Sequence, residues 1–128
     1  MFNGKADIVL IDAPCSGIGT IRRNPDKKWT MTEELVLKYA EEQRKILEFN
    51  ANFVRIGGRL VYATCSLFRQ ENEEVIEVFL SSHKNFELMK PEQELKSLNI
   101  SLDTSVVKLL PHKHDTDGFF VAVMQRTE

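Results

Sequence analysis

At 128 residues the chain has room for one hydrophobic core and not for two. No apolar run reaches the roughly 20 residues that span a bilayer, and no basic-then-apolar leader opens the sequence, so the expectation is a soluble cytoplasmic domain with no membrane partner. Seventeen Lys and Arg against nineteen Asp and Glu leave a net charge of −2, which excludes an overall attraction to nucleic acid and leaves room only for a local basic patch.

The elements follow in chain order. Asp7-Ile8-Val9-Leu10-Ile11 is a continuous apolar run of the kind that forms a parallel strand covered on both faces. Residues 16–30 are dense in Gly, Pro, Asn, Asp, Ser and Thr and read as a long loop, a feature that in a compact α/β unit is usually functional. Thr30 with Glu33 forms a capping-box pattern. Leu35, Val36, Tyr39, Ala40, Ile46, Leu47, Phe53 and Val54 then recur at helical spacing, predicting an amphipathic helix of about six turns. Gly57-Gly58 is the expected left-handed stop, and Arg59–Tyr62 the next strand, parallel to the first. Glu71–Ser82 predicts a shorter helix and Asn85–Met89 a strand, while residues 90–105 carry no clean period. Val106–Leu110 and Phe119–Met124, around the loop Pro111–Gly118, predict a connected pair of strands at the sheet edge. The whole reads as one α/β domain without repeats.

Both cysteines stand at equivalent places in this plan. Asp12-Ala13-Pro14-Cys15-Ser16-Gly17 follows the first strand and Ala63-Thr64-Cys65-Ser66 follows the second, at the carboxyl ends where open α/β sheets bind ligands. Neighbouring strands lie about 4.8 Å apart, so Cys15 and Cys65 are able to converge on one pocket. A structural disulfide is disfavoured in a cytosolic chain, and a purely structural cysteine belongs within a buried strand rather than in a polar turn. Ser16-Gly17-Ile18-Gly19-Thr20 fails the dinucleotide fingerprint, because Arg22 stands where the third glycine belongs, and lacks the Gly-Lys-Ser/Thr of a P-loop. Its glycines are expected to turn the backbone tightly beside a substrate. His112-Lys113-His114-Asp115 is too local a set for a metal site, and no metal is expected. The local basic patch is Arg22, Arg23, Lys27 and Lys28, beside the single Trp29.

These segments are specific enough to carry a resemblance. DAPCSGIGTIRRNPDKKW (Asp12–Trp29) resembles the fourth motif of the Sun/Nop2-type (RsmB-type) RNA cytosine-C5 methyltransferases, GGRLVYATCSLFRQENEE (Gly57–Glu74) their sixth, and HDTDGFFVAVM (His114–Met124) the closing strand of the same fold; Gln43 with Ile46-Leu47 matches the intervening helix. The resemblance implies the C-terminal half of a Rossmann-like class I methyltransferase fold, mostly parallel with an antiparallel last strand, and S-adenosylmethionine as cofactor. It implies Cys65 as the nucleophile that adds to cytosine C6, Cys15 as the thiol assisting loss of the C5 proton and release of product, and Asp12 as the contact to the methionine end of the cofactor and to the cytosine amino/N3 edge. Ala13 and Pro14 join Asp12 against the cofactor. Pro14 and Ser16 contact substrate, and Arg22, Arg23 and Lys28 are the expected contacts to RNA phosphates, with ribosomal RNA as the partner. A nucleophilic Cys65 must be a thiolate, which requires a site that favours the ionised form.

The resemblance places the glycine-rich cofactor loop and the family's catalytic lysine upstream of Met1. The expectation is therefore a partial domain that binds the cofactor weakly alone and self-associates through the unprotected edge of residues 7–11. The alternatives are a non-catalytic interaction piece, and a DNA cytosine methyltransferase that uses the cysteine of the Pro-Cys pair as nucleophile. Cys65 argues against the latter.

Overall fold

The computed structural model describes residues 3–90 and 106–128; most of the aperiodic stretch 90–105 lies outside the described residues. Five strands form one sheet: β1 (Ala6–Asp12), β2 (Val54–Thr64), β3 (Phe86–Met89), β4 (Val106–Leu109) and β5 (Phe119–Arg126). β1 pairs with β2 in parallel, β5 runs antiparallel to β2, and β3 and β4 share the other side of β5, also antiparallel to it. β5 alone is reversed, which is the mostly parallel sheet with an antiparallel last strand that the family resemblance implied. The final hairpin is not at the sheet edge as the sequence predicted. β5 is interior because Phe120, Ala122 and Met124, all fully buried, supply the middle of the core.

Among the described residues four helices accompany the sheet: α1 (Lys27–Thr30), α2 (Glu33–Ala51), α3 (Glu73–Ser82) and α4 (Pro111–His114). Register fixes which residues share a face. Val9 and Ile11 lie opposite Leu60 and Tyr62, which lie opposite Met124 and Ala122. This face packs against Ala40, Leu47 and Ala51 of α2 and Val75, Ile76 and Phe79 of α3 to make the core. The opposite face carries Ile8 and Leu10.

Three boundaries differ from the sequence reading. Thr32, not Thr30, caps α2: its Oγ1 accepts from the Leu35 N–H at 3.2 Å, while the extended backbone of Met31 separates Thr30 from the helix and leaves it closing α1. The helix ends at Ala51, well before Gly57-Gly58. Those glycines serve β2 instead, where the register with β1 slips between Ala6–Val54 and Ile8–Arg59. Gly57 takes a left-handed φ of 79° there, and a Cβ on Gly58 would lie 2.9 Å from the Ala6 carbonyl oxygen. Finally, α3 begins at Glu73 rather than Glu71, because Arg69–Glu71 forms a separate 3-10 turn.

Candidate active site

The parallel ladder delivers the two cysteine loops side by side. Asp12 pairs with Ala63, and the Ala13 N–H donates to the Ala63 carbonyl at 2.9 Å, extending the ladder past the end of β1. Cys15 and Cys65 lie just beyond, both free and half-buried, with their Sγ atoms 3.2 Å apart. Geometry allows either sulfur to donate. Burial, followed by the hydrogen bond to Cys65 and its charge, pushes the Cys15 thiol up to about 12. Cys15 therefore keeps its proton at neutral pH.

Beneath the thiols is a buried polar cluster centred on Glu71, which has no exposed surface. Its Oε1 accepts from the Ser16 backbone N–H at 2.7 Å and from Gln43 Nε2 at 3.2 Å; its Oε2 accepts from Ser16 Oγ at 2.6 Å and from Ser66 Oγ. Ser16 and Ser66 directly follow the two cysteines. Gln43 also donates to the Pro14 carbonyl at 2.8 Å, tying α2 to the first cysteine loop. Asn72 holds the second loop, accepting from Thr64 Oγ1 at 2.6 Å and donating to the Ser66 carbonyl at 2.8 Å. Tyr62, on β2, donates its hydroxyl to the Glu71 carbonyl at 2.6 Å.

A second clasp joins three loops through backbone alone. The Gly19 N–H donates to the Cys65 carbonyl at 2.8 Å, and the Gly118 N–H donates to the Gly19 carbonyl at 2.7 Å. A Cβ on Gly19 would fall 2.2 Å from the Gly118 oxygen and 2.5 Å from the Cys65 oxygen. The glycine-rich run after Cys15 thus serves close backbone contact to its neighbours.

The other residues singled out in the sequence lie around this centre. Ser16 and Ala13 are buried; Asp12 and Pro14 are exposed at the carboxyl end of β1. Arg22 and Arg23 reach across to the loop before β5, where Arg22 Nη1 meets Asp115 Oδ1 at 3.0 Å and Arg23 Nε meets Asp117 Oδ2 at 2.6 Å. Lys28 places its ammonium 4.8 Å from the ring centre of Trp29, itself 80% exposed. Lys28 also borders a cavity of about 400 Å³ whose apolar lining includes Ile18 from the first cysteine loop and Phe68 from the second. Sequence reasoning placed Glu71 and Asn72 at the start of a helix and gave Asp115 and Asp117 no role. The available signal was the run Glu71-Asn72-Glu73-Glu74 so soon after Cys65.

For an S-adenosylmethionine molecule the described residues offer one wall: Asp12 is exposed at the end of β1, on the open face of the sheet, with the Ala13–Pro14 turn beside it. This fits one side of a cofactor site and leaves the other side to be supplied.

The chain is similar in sequence and fold to known proteins. The family model for the 16S rRNA methyltransferase RsmB/F matches residues 1–125. The probable ribosomal RNA small subunit methyltransferase B of Bacillus subtilis (strain 168) is 40% identical over 126 residues, covering 97% of this chain and 28% of that protein. Among solved structures, that of PH0851 superposes with a TM-score of 0.87 at 38% identity, covering 97% of this chain and 27% of the other. NSun6 from Pyrococcus horikoshii, solved with SFG, gives a TM-score of 0.74 at 29% identity, covering 93% and 29%. The chain spans little more than a quarter of the length of these relatives.

Proposed function

The chain belongs to the 16S rRNA methyltransferase RsmB/F family, and on that footing we propose that it is the two-thiol, substrate-side half of an S-adenosylmethionine-dependent RNA cytosine-C5 methyltransferase acting on ribosomal RNA. The observation that carries this reading is the pair of free thiols 3.2 Å apart at the ends of adjacent parallel strands, one held protonated beside the other.

Cytosine C5 is a poor nucleophile. Cys65 Sγ bonds to C6 and moves the C5=C6 electron pair onto C5, dividing one difficult step into easier ones. When bound, S-adenosylmethionine would supply an electrophilic methyl group to C5. The C5 proton passes to solvent water at the open side, its electron pair restores C5=C6, and the S–C6 pair returns to Cys65. Cys15, in contact with Cys65, is placed to assist this last stage. Asp12 faces the open side, where it orients the cytosine amino/N3 edge and, with Ala13 and Pro14, lines the methionine end of the cofactor. Pro14 and Ser16 border the base.

Lys28 is the freest of the three proposed phosphate contacts, and the cavity it borders, lined by Phe68, suits a flanking base, which stacks on an aromatic ring. Arg22 and Arg23 would exchange Asp115 and Asp117 for phosphate. The Arg22–Asp115 pair is exposed and contributes only about 0–1 kcal/mol, so that exchange is inexpensive, whereas Asp117 is mostly covered and holds Arg23 more firmly.

The remaining wall of the cofactor site belongs, in this reading, to the portion of the relatives that precedes the matched segment. Transfer of radiolabelled methyl from S-adenosylmethionine to 16S rRNA tests it, using the chain alone and the chain joined to the preceding part of the Bacillus subtilis relative. Transfer by the joined protein alone is expected. Transfer by neither supports a non-catalytic interaction piece, and transfer by the short chain contradicts the division of the site.

A further inference from the structure

The geometry points to Glu71 as a positioning residue that sets the spacing of the two thiols, an inference that rests on reading Cys15 and Cys65 as the reacting pair. Four donors converge on this one carboxylate, and three of them belong to the residue directly after a cysteine: Ser16 N–H, Ser16 Oγ and Ser66 Oγ. The fourth, Gln43 Nε2, also holds the carbonyl of Pro14, the residue directly before Cys15. The first cysteine loop is thus gripped on both sides of its thiol and the second on one side, and both grips end on the same two oxygens. Glu71 has no exposed surface and touches neither sulfur in this network. Its influence on chemistry runs through Ser16 and Ser66.

An ordinary core contact would be met by an apolar side chain. A carboxylate here costs desolvation, which is offset only while every donor is in place. It gives direction in return: hydrogen bonds fix distance and angle where apolar packing does not. The 3.2 Å thiol contact joins two loops 50 residues apart in sequence. Besides the shared carboxylate, the described bonds that hold the loops together are the Ser16–Ser66 hydroxyl contact at 3.3 Å, the Ala13–Ala63 rung and the Gly19–Cys65 bond.

Thiol spacing is measured without methyl transfer by equilibrating the chain with reduced and oxidised glutathione. Two protein thiols lose two hydrogens to glutathione disulfide, giving a Cys15–Cys65 disulfide and two glutathione molecules, and the equilibrium constant reports how well the sulfurs are held together. Glu71→Gln, which replaces one acceptor oxygen with a donor, is expected to lower this constant about tenfold or more. Ser16→Ala and Ser66→Ala each remove one grip while keeping the carboxylate, and are expected to lower it by smaller amounts. They serve as the readout where Glu71→Gln does not fold. In the joined protein, Glu71→Gln is expected to reduce kcat about 100-fold with KM for RNA unchanged. A glutathione constant equal to that of the parent in the folded variants overturns the proposal, even where a lower melting temperature shows that Glu71 supports the fold. A changed constant without methyl transfer in the joined parent protein keeps the positioning role and removes the functional reading.

Discussion

On the face of the sheet beneath α2 and α3, Leu60, Tyr62, Phe120, Ala122 and Met124 are fully buried, and Leu47 reaches them from α2. On the opposite face Ile8 and Leu10 of β1, the edge strand, are 63% and 68% exposed. Both faces are apolar in sequence, as a strand covered on both sides should be, yet only one is covered among the described residues. The carboxyl end of the sheet resembles the finished face. Most of its buried polar groups are met from within the chain by Glu71, Asn72, Ser16 and Ser66, with Gln43 Oε1 left without a partner among the described residues. The carboxyl end of the sheet is therefore held from within the chain, while the face carrying Ile8 and Leu10 stays open among the described residues.

Substitutions divide along this line. The largest effect belongs to Gly19→Ala, whose new methyl has backbone on two sides and no flexible side chain to displace. It is expected to destabilise by about 3 kcal/mol and to separate the Cys65 loop from the turn before β5; denaturant unfolding measures the loss. Next are two truncations of leucine. Leu47→Ala on the covered face is expected to cost about 2–3 kcal/mol, the lower end for a buried leucine, whereas Leu10→Ala on the open face should cost about 0.5 kcal/mol or less. Equal costs would erase the distinction between the faces. Smaller again is the effect of Leu10→Lys on association. An edge strand with an apolar face invites pairing with another copy, so the parent chain is expected to sediment partly as dimers or larger species, and Leu10→Lys to shift it toward monomer.

Alkaline pH gives the most local effect. The Cys15 thiol is raised from 9.0 to about 12 in the folded chain, so above pH 9 the unfolded state releases its proton first. Stability is then present in full below about pH 9 and falls as pH rises toward 12. Cys15→Ser removes that slope, seen as a flatter dependence of the unfolding midpoint on pH.

Much of this arrangement was legible in the sequence, for reasons that also mark where legibility stops. The continuous apolar run in β1 and the helical spacing in α2 are local patterns that report burial directly. The placement of two cysteines after two parallel strands followed from those patterns and from strand spacing. Boundaries were harder. Thr30 has Glu33 at the capping-box spacing and Thr32 has Leu35 there, so the sequence favours Thr30, and the extended backbone of Met31 decides for Thr32. Gly57-Gly58 has the composition of a helix stop, but the close approach of the Ala6 carbonyl gives it another use. Glu71 was illegible as a hub because its partners Ser16 and Gln43 lie 55 and 28 residues away. The ion pairs of Arg22 and Arg23 span still longer separations in sequence, over 90 residues, and an arginine facing an aspartate reads in sequence like one facing a phosphate.

The most direct measurement of the central claim is where RNA becomes attached. Cys15→Ala in the joined protein should slow release after Cys65 has bonded to C6, so that a covalent RNA adduct accumulates in the presence of S-adenosylmethionine. Nuclease digestion and peptide mass spectrometry should then place the nucleotide mass on the peptide containing Cys65, and Cys65→Ala should abolish it. An adduct that persists in Cys65→Ala and maps to Cys15 would contradict the assignment of the two thiols.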